Sequence, residues 1–268
     1  MSSAAEFFDQ EVIEGLEAIY KTDDSVQRRR GCVDVLQLQP GERVIDIGAG
    51  PGFVAYEMGQ LVGSDGEVFG VDSNETMVQL ARERCADQPW VSFKTADATQ
   101  LPAPDATSDV AVSIQVYEYV PDVDAALAEM YRVLRPGGRG LIVASDWDSI
   151  IWNSSAPNRM EKVLSAFAEH CAHQTLPRTL ASRLGSLGFE IRDVQARPQV
   201  NTVYHPNSFS FHGARLVTSF VPGRNGITET DAAEWMADLQ QAGEQGDYFF
   251  CLNQFLFSVE KPANARRR

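Results

Sequence analysis

Long apolar runs are missing from this 268-residue chain. None approaches the ~20 residues that a helix needs to cross a bilayer, so no membrane insertion is expected. Basic residues are also scarce, with 23 Lys and Arg against 37 Asp and Glu, for a formal net charge of -14. Nucleic acid and anionic membranes both demand a basic face, so neither is expected as a partner. The short run Arg266-Arg267-Arg268 is a basic tail, too small to change that balance. Cysteine is limited to Cys32, Cys85, Cys171 and Cys251, and no two share a metal-ligand spacing. A chain of this length needs no disulfide staples, so these read as reduced, mostly buried thiols of a cytoplasmic protein. No metal is expected. Met1 to Phe8 lacks the basic-then-apolar pattern of a signal peptide. Internal repeats and low-complexity stretches are absent too. What remains is ordinary for a globular protein handling a small molecule: 44% hydrophobic and 22% charged residues.

The chain alternates short β-branched runs with helical patterns. Residues 4–20 carry Phe7, Phe8, Val12 and Leu16 near one helical face. Asp23-Asp24-Ser25 breaks and caps, and Val26 to Leu36 is a second helix, stopped before Pro40-Gly41. Strands are expected at Arg43–Ile47, Glu67–Asp72, Trp90–Thr95, Asp109–Gln115 and Gly140–Ser145. Helices fall between them at 53–62, 75–86 (capped by Ser73 or Asn74) and 123–134. Beyond residue 150 the pattern is less regular. Helices are expected around Met160–Phe167 and Thr179–Leu187, a sixth strand at Glu190–Val200 and a seventh at Tyr248–Glu260. Strands alternating with helices define a doubly wound, mostly parallel α/β sheet. Ligands of such sheets bind outside the carboxyl ends of the strands. Asp46, Asp72, Asp97, Gln115 and Asp146 are all expected at such ends.

The run Val44-Ile45-Asp46-Ile47-Gly48-Ala49-Gly50-Pro51-Gly52 is the most informative stretch. A strand carries an acid near its end and enters a turn with glycine at every second position. Gly48 and Gly50 let the backbone bend sharply and approach a ligand with no Cβ in the way. The following helix points its free N–H groups at the same place. Asp72 ends the next strand, where a carboxylate can accept from ribose hydroxyls. A dinucleotide turn has the spacing G-x-G-x-x-G, whereas this one is G-x-G-x-G. Asp46 beside it would repel a diphosphate and welcome a cation. A positively charged nucleoside such as S-adenosylmethionine fits better than NAD. The same turn also admits a bland reading, as a tight strand-to-helix connection with no ligand.

Four segments in order carry a resemblance. They are Val44 to Gly52, Val68 to Asp72, Phe93-Lys94-Thr95-Ala96-Asp97-Ala98-Thr99-Gln100-Leu101-Pro102, and Asp109 to Arg139. The last contains Gln115-Val116-Tyr117-Glu118-Tyr119-Val120-Pro121-Asp122 and Arg132-Val133-Leu134-Arg135-Pro136-Gly137-Gly138. Over roughly residues 25–150 the chain resembles class I S-adenosylmethionine-dependent methyltransferases, of the small-molecule type that includes the ubiquinone/menaquinone-biosynthesis enzymes. The resemblance implies a Rossmann-like, seven-stranded, mostly parallel sheet whose last strand inserts antiparallel between strands five and six. It also implies N-terminal helices (1–40, part of a cap), a cofactor-binding core (41–200), a helical insertion between strands six and seven, the final core strand (248–262) and a tail (263–268). The insertion (201–247), with helices near 208–221 and 229–243, is a candidate substrate lid.

Carried over position by position, Gly48, Ala49 and Gly50 wrap the methionine part of the cofactor and Asp46 holds it from below. Asp72 takes the ribose hydroxyls. Ser73 and Met77 border the adenine, Asp97 accepts its amino group and the Ala98 N–H donates to its ring. Gln115 lies near the transferring methyl. Met77 reads equally as core packing. Methyl transfer requires a base only if the acceptor must lose a proton. Candidates are His173, Glu118 and Asp146, with His170, His205 and His212 behind them. Tyr20, Tyr117, Trp147 and Trp152 are candidate substrate-lining residues, though core packing is at least as natural for the aromatics.

Two absences narrow the acceptor. No Asn-Pro-Pro-aromatic motif follows the fourth strand, which argues against methylation of a nucleobase amine. No Asp-Asn pair with metal-site spacing follows Asp109, which argues against magnesium-assisted catechol chemistry. Three other readings stay open at this point: a nicotinamide oxidoreductase, a non-catalytic cofactor-binding subunit, and an enzyme of the same fold that uses the sulfonium for cyclisation or aminopropyl transfer. The expected partner is a small-molecule substrate, and a homodimer is compatible with the sequence.

Overall fold

The computed structural model describes residues 10–263. In chain order these form α1 (Gln10–Lys21), α2 (Asp23–Leu36), β1 (Arg43–Ile47), α3 (Phe53–Val62), β2 (Glu67–Asp72), α4 (Glu75–Arg84), β3 (Val91–Thr95) and β4 (Ser108–Ile114). There follow α5 (Val123–Val133), β5 (Leu134–Trp152), α6 (Pro157–Phe167), α7 (Pro177–Leu187), β6 (Glu190–Asn201), α8 (Phe209–Phe220), α9 (Glu229–Gln245) and β7 (Phe250–Glu260). The strands make one seven-stranded sheet in the order β3-β2-β1-β4-β5-β7-β6. β3, β2, β1, β4 and β5 run parallel. β7 lies between β5 and β6 and runs against β5, because Gly137 pairs with Lys261 while Asn153 pairs with Phe249. The doubly wound α/β class follows the sequence pattern, and the inserted last strand is the one that the family resemblance implies.

Two compact units divide the chain. A sheet unit gathers Arg29–Ser145, Thr175–Ala196 and the described residues from Phe255 onward. A helical unit gathers the described residues up to Arg28, Asp146–Gln174 and Arg197–Gln254. Within the sheet unit the central strands β1 and β4 are apolar on both faces, as central parallel strands require. Ile45, Ile47, Val71, Ala111 and Ile142 pack with Leu127 and Met130 of α5 and Leu180 and Leu184 of α7. Val44, Val68, Val110, Val112 and Leu141 pack on the other face with Val33, Leu36, Met58 and Val78. Period-two alternation along β1 thus sends Asp46 to the same face as Val44. Arginines tie the helices down at their ends. Arg84 and Arg29 bracket the Phe53 ring at 3.5 and 5.0 Å, and Arg139 grips both oxygens of Glu42.

Within the helical unit, Asp24 organises one end. It accepts from the backbone N–H of Phe209 and from the side chain of Asn201, and Arg28 lies 5.4 Å from the Phe209 ring. These hydrogen bonds hold its carboxyl below the usual range although burial pulls the other way. Trp152 donates to Tyr248 Oη and packs edge-on to the Trp235 ring. No helix among the described residues is long and apolar enough to cross a membrane.

Several boundaries differ from the pattern. The expected break at Asp23-Asp24-Ser25 is already the first turn of α2. Residues 4–9 of the first expected helix lie outside the described residues. α4 stops at Arg84, two residues early, and its cap is Asn74, whose side chain accepts from the N–H groups of Thr76 and Met77. The largest difference is β5, which runs on to Trp152 instead of ending at Ser145. Asp146 is therefore not at a strand end but inside a strand. Past Asp146 the continuous burial gives way to half-buried and exposed residues as far as Ile151, so the apolar run that marks a two-sided strand ends before the strand does.

Candidate functional site

The site is built at the carboxyl edge of β1, β2 and β4, inside the sheet unit. The backbone N–H groups of Gly48 and Ala49 both donate to Val71 O, at 2.7 and 2.9 Å, and so turn the chain back across the end of β2. Gly48, Gly50 and Gly52 hold φ of +76°, +52° and +80°, the left-handed region that disfavours any side chain. Their reasons differ. A Cβ on Gly48 would collide with the methyls of Val116, and one on Gly52 would stand 2.9 Å from Ala81, where α3 and α4 touch. A Cβ on Gly50 would meet nothing within 4 Å. Gly48 and Gly52 are glycine for packing, whereas Gly50 faces open space.

Asp72 is fixed on the other side of that space. Its Oδ2 accepts from Gly50 N–H at 2.9 Å and its Oδ1 from Asn74 N–H at 2.9 Å. Burial raises its carboxyl, and the N–H groups of Asn74, Gly50 and Ser73 pull it back down. Each oxygen keeps acceptor capacity beyond these bonds. Asp46 is 2% exposed, and its Oδ2 has no hydrogen-bond partner among the described residues. Burial, then the nearby charge of Asp72, pushes its carboxyl up to about 7. An acid in that state accommodates a cation readily, because a donor would satisfy the orphaned oxygen and restore its charge.

Past β3, Ala96 N–H donates to Asp72 O at 3.0 Å and seats the following residues beside the turn. Asp97 is exposed, with Oδ1 taken by the N–H and hydroxyl of Thr99, and Ala98 is half-buried. Ser73 is exposed, and Met77 is buried on α4 at 5% exposure. Past β4, Gln115 adopts φ +56° and donates from Nε2 to Ser145 Oγ at 2.9 Å. Tyr117 is 1% exposed, and burial pushes its phenol up. Glu118 is fully buried, with Oε1 accepting from Ser145 N–H at 2.8 Å and Oε2 without a partner among the described residues. Burial pushes its carboxyl up to about 7.

Asp46, Gly48, Ala49, Gly50, Asp72, Asp97, Ala98 and Gln115 thus gather at one edge. Tyr20, Asp146, Trp147, Trp152 and His173 belong to the helical unit. There Trp147 stands edge-on to His170 and Phe167, and Trp152 is buried against Phe250. His170 stacks on Phe167 at 4.0 Å, and burial holds it down at about 4. Among the described residues no cluster of His, Cys, Asp or Glu could hold a metal. Sequence reasoning missed Ser145, on which both Gln115 and Glu118 converge, because a serine at the end of an expected strand carries no distinguishing pattern. Val116 was missed likewise, since its contact with Gly48 depends on the register of β4 against β1.

The sheet order and the glycine turn are similar to those of class I S-adenosylmethionine-dependent methyltransferases. Residues 45–142 match the methyltransferase domain family, a segment that carries the glycine turn, Asp72, Asp97, Gln115 and Glu118. Over 118 residues the chain is 38% identical to a ubiquinone/menaquinone biosynthesis C-methyltransferase, UbiE, of Teredinibacter turnerae, covering 43% of this chain and 47% of that protein. Over 164 residues it is 31% identical to an arsenite methyltransferase of Halobacterium salinarum, covering 60% of this chain and 41% of that one. The chain therefore spans less than half the length of these curated relatives. A Haemonchus contortus phosphoethanolamine N-methyltransferase 2 solved in complex with S-adenosyl-L-methionine has the same fold, with a TM-score of 0.65 at 18% identity over 98% of this chain and 60% of that one.

Proposed function

We propose that the protein transfers a methyl group from S-adenosylmethionine to a small-molecule metabolite in the cytoplasm. The observation that carries this reading is the pairing of Gly50, whose missing side chain opens a space, with Asp72, whose carboxylate is locked to the Gly50 N–H at the rim of that space. Bound there, the cofactor supplies a methyl on a sulfonium: the acceptor's electron pair forms the new bond to the methyl carbon as the carbon–sulfur bond breaks toward sulfur. The chain's own residues then have positional work. Asp72 accepts from the ribose hydroxyls, and the two N–H groups it holds keep its oxygens aimed. Asp46 takes the ammonium end, directly or through a water, with its open Oδ2. Asp97 and the Ala98 N–H read the adenine edge, while Ser73 and Met77 flank it. Gln115 stands where the methyl is presented. Alignment and exclusion of water supply most of the acceleration in such a displacement.

Acceptor choice falls to the helical unit, to residues 201–247, with Tyr20, Trp147 and Trp152 of that unit as candidates. His173, Glu118 and Asp146 are the candidates for proton removal. Calorimetric titration with S-adenosylmethionine, S-adenosylhomocysteine and NAD tests the reading. Micromolar binding of the first two, lost in Asp72→Ala, supports it, and a metabolite screen for S-adenosylhomocysteine release then finds the acceptor. Binding of NAD alone would overturn it in favour of hydride transfer.

A further inference from the structure

Glu118 is a fully buried carboxyl, named above only among three candidates for proton removal. It follows β4 by four residues, on a short 3-10 turn spanning Tyr117–Tyr119. Its Oε1 takes the backbone N–H of Ser145 on the neighbouring strand β5 at 2.8 Å. The hydroxyl of that same serine accepts from Gln115 Nε2 at 2.9 Å. Gln115 sits at φ +56°, a left-handed conformation that non-glycine residues rarely adopt and that needs outside support. Its N–H is meanwhile held by Val143 O at 2.7 Å. Between the two residues, Val116 lies where a Cβ of Gly48 would stand, so the same segment presses on the glycine turn. Gln115, Val116 and Glu118 thus touch β5 and the glycine turn at three points, and Ser145 is common to two of them.

We propose that Glu118 is a positioning residue for the cofactor site, acting through Ser145 to fix the strained Gln115 and to seat Val116 against Gly48. The inference rests on the assignment of this edge to S-adenosylmethionine. Burying a carboxyl is expensive unless its contacts repay it, and Leu or Met would fill the same volume with no such cost. A carboxyl offers what they lack, an acceptor for the Ser145 N–H. That bond sets the height of the serine, and hence whether its hydroxyl meets the Gln115 amide.

The test uses the full chain and calorimetric titration with S-adenosylmethionine and S-adenosylhomocysteine, with thermal unfolding recorded for every variant. Glu118→Ala is expected to weaken both ligands at least tenfold. Glu118→Gln, whose amide oxygen can still accept from Ser145, is expected to restore binding to within about threefold of the wild type. Because Glu118→Ala also empties a fully buried position, Ser145→Ala, Gln115→Ala and their double variant form an independent arm. Each single change is expected to weaken binding about fivefold, and the double no more than the worse single, since both break one link. Additive effects in the double variant, or wild-type affinity in a folded Glu118→Ala, overturn the positioning role alone. Failure of the wild type to bind either ligand overturns the cofactor assignment and this inference with it.

Discussion

The backbone N–H of Gly50 donates to Asp72 Oδ2 at 2.9 Å, so one carboxylate both shapes the glycine turn and faces the space the turn encloses. Asp72→Ala should therefore do two things at once. It removes the proposed acceptor for the ribose and frees the N–H groups of Gly50 and Asn74. Hydrogen bonds to charged groups contribute about 1.5–3 kcal/mol each, so a loss of cofactor affinity of tenfold or more is expected, with a lower melting temperature. Asp72→Asn keeps an acceptor oxygen and should fall between. Equal cofactor affinity in all three proteins, measured by calorimetry, would contradict this account.

The glycines of the turn should separate into two classes. Gly50→Ala places its methyl in open space at φ +52°. The backbone strain is roughly 1–2 kcal/mol, so the variant should fold, yet its methyl intrudes on the ligand and binding should drop. Gly48→Ala meets Val116 instead, and there unfolding should suffer first. Thermal denaturation beside titration distinguishes the two. Equal destabilisation by both would show that Gly50 is not a ligand-facing position.

Asp46 should make stability fall, not rise, with pH. Burial raises its carboxyl to about 7, above its ordinary value. Between about pH 4 and 7 the folded protein then holds a proton that the unfolded chain has released, so stability declines through that window. The decline is at most roughly 4 kcal/mol from this residue, and Asp46→Asn should abolish it. Glu118 titrates in the same range, so the measurement is the difference between variant and wild-type unfolding free energies, followed by denaturant titration from pH 4 to 7. A cationic ligand should also expel the Asp46 proton. Calorimetry near pH 6 in two buffers of different ionisation enthalpy should show proton release in the wild type and a smaller release in Asp46→Asn.

His170 should act with the opposite sign. Burial holds its imidazole at about 4, against an ordinary value of 6.5. Its contribution is complete above pH 6.5 and is lost as pH falls toward 4, by at most roughly 3 kcal/mol. His170→Phe should flatten that acid-side loss. An unchanged acid limb in the variant would mean that the ring carries its proton in the folded protein.

Periodicity located the central strands well. Arg43–Ile47 and Glu67–Asp72 are bounded as their β-branched runs predict, because strands buried on both faces read as unbroken apolar runs. β5 was read short for the complementary reason. Beyond Asp146 the strand is half-buried or exposed until Trp152, and Asp146, Asp148 and Ser149 look like a stop to a reading that seeks continuity. The glycine turn and its acids were legible as residues. Their division of labour was not, since whether a glycine meets Val116, Ala81 or open space depends on elements distant in sequence. Likewise nothing local marks Asn74 over Ser73 as the cap of α4, because both residue types cap.

The position of β7 has a consequence for how the sheet is assembled. β7 is made after every other strand, yet it fills an interior place between β5 and β6. Until residues 250–260 leave the ribosome, β6 has no neighbour to pair with and the outer edge of β5 stands open. At ~5–20 residues per second, more than two seconds of synthesis separate the end of β6 from the start of β7. During that interval the growing chain carries an unpaired β5 edge. The parallel part of the sheet, from β3 to β5, can form while the chain is still growing, whereas the antiparallel end waits for its last piece.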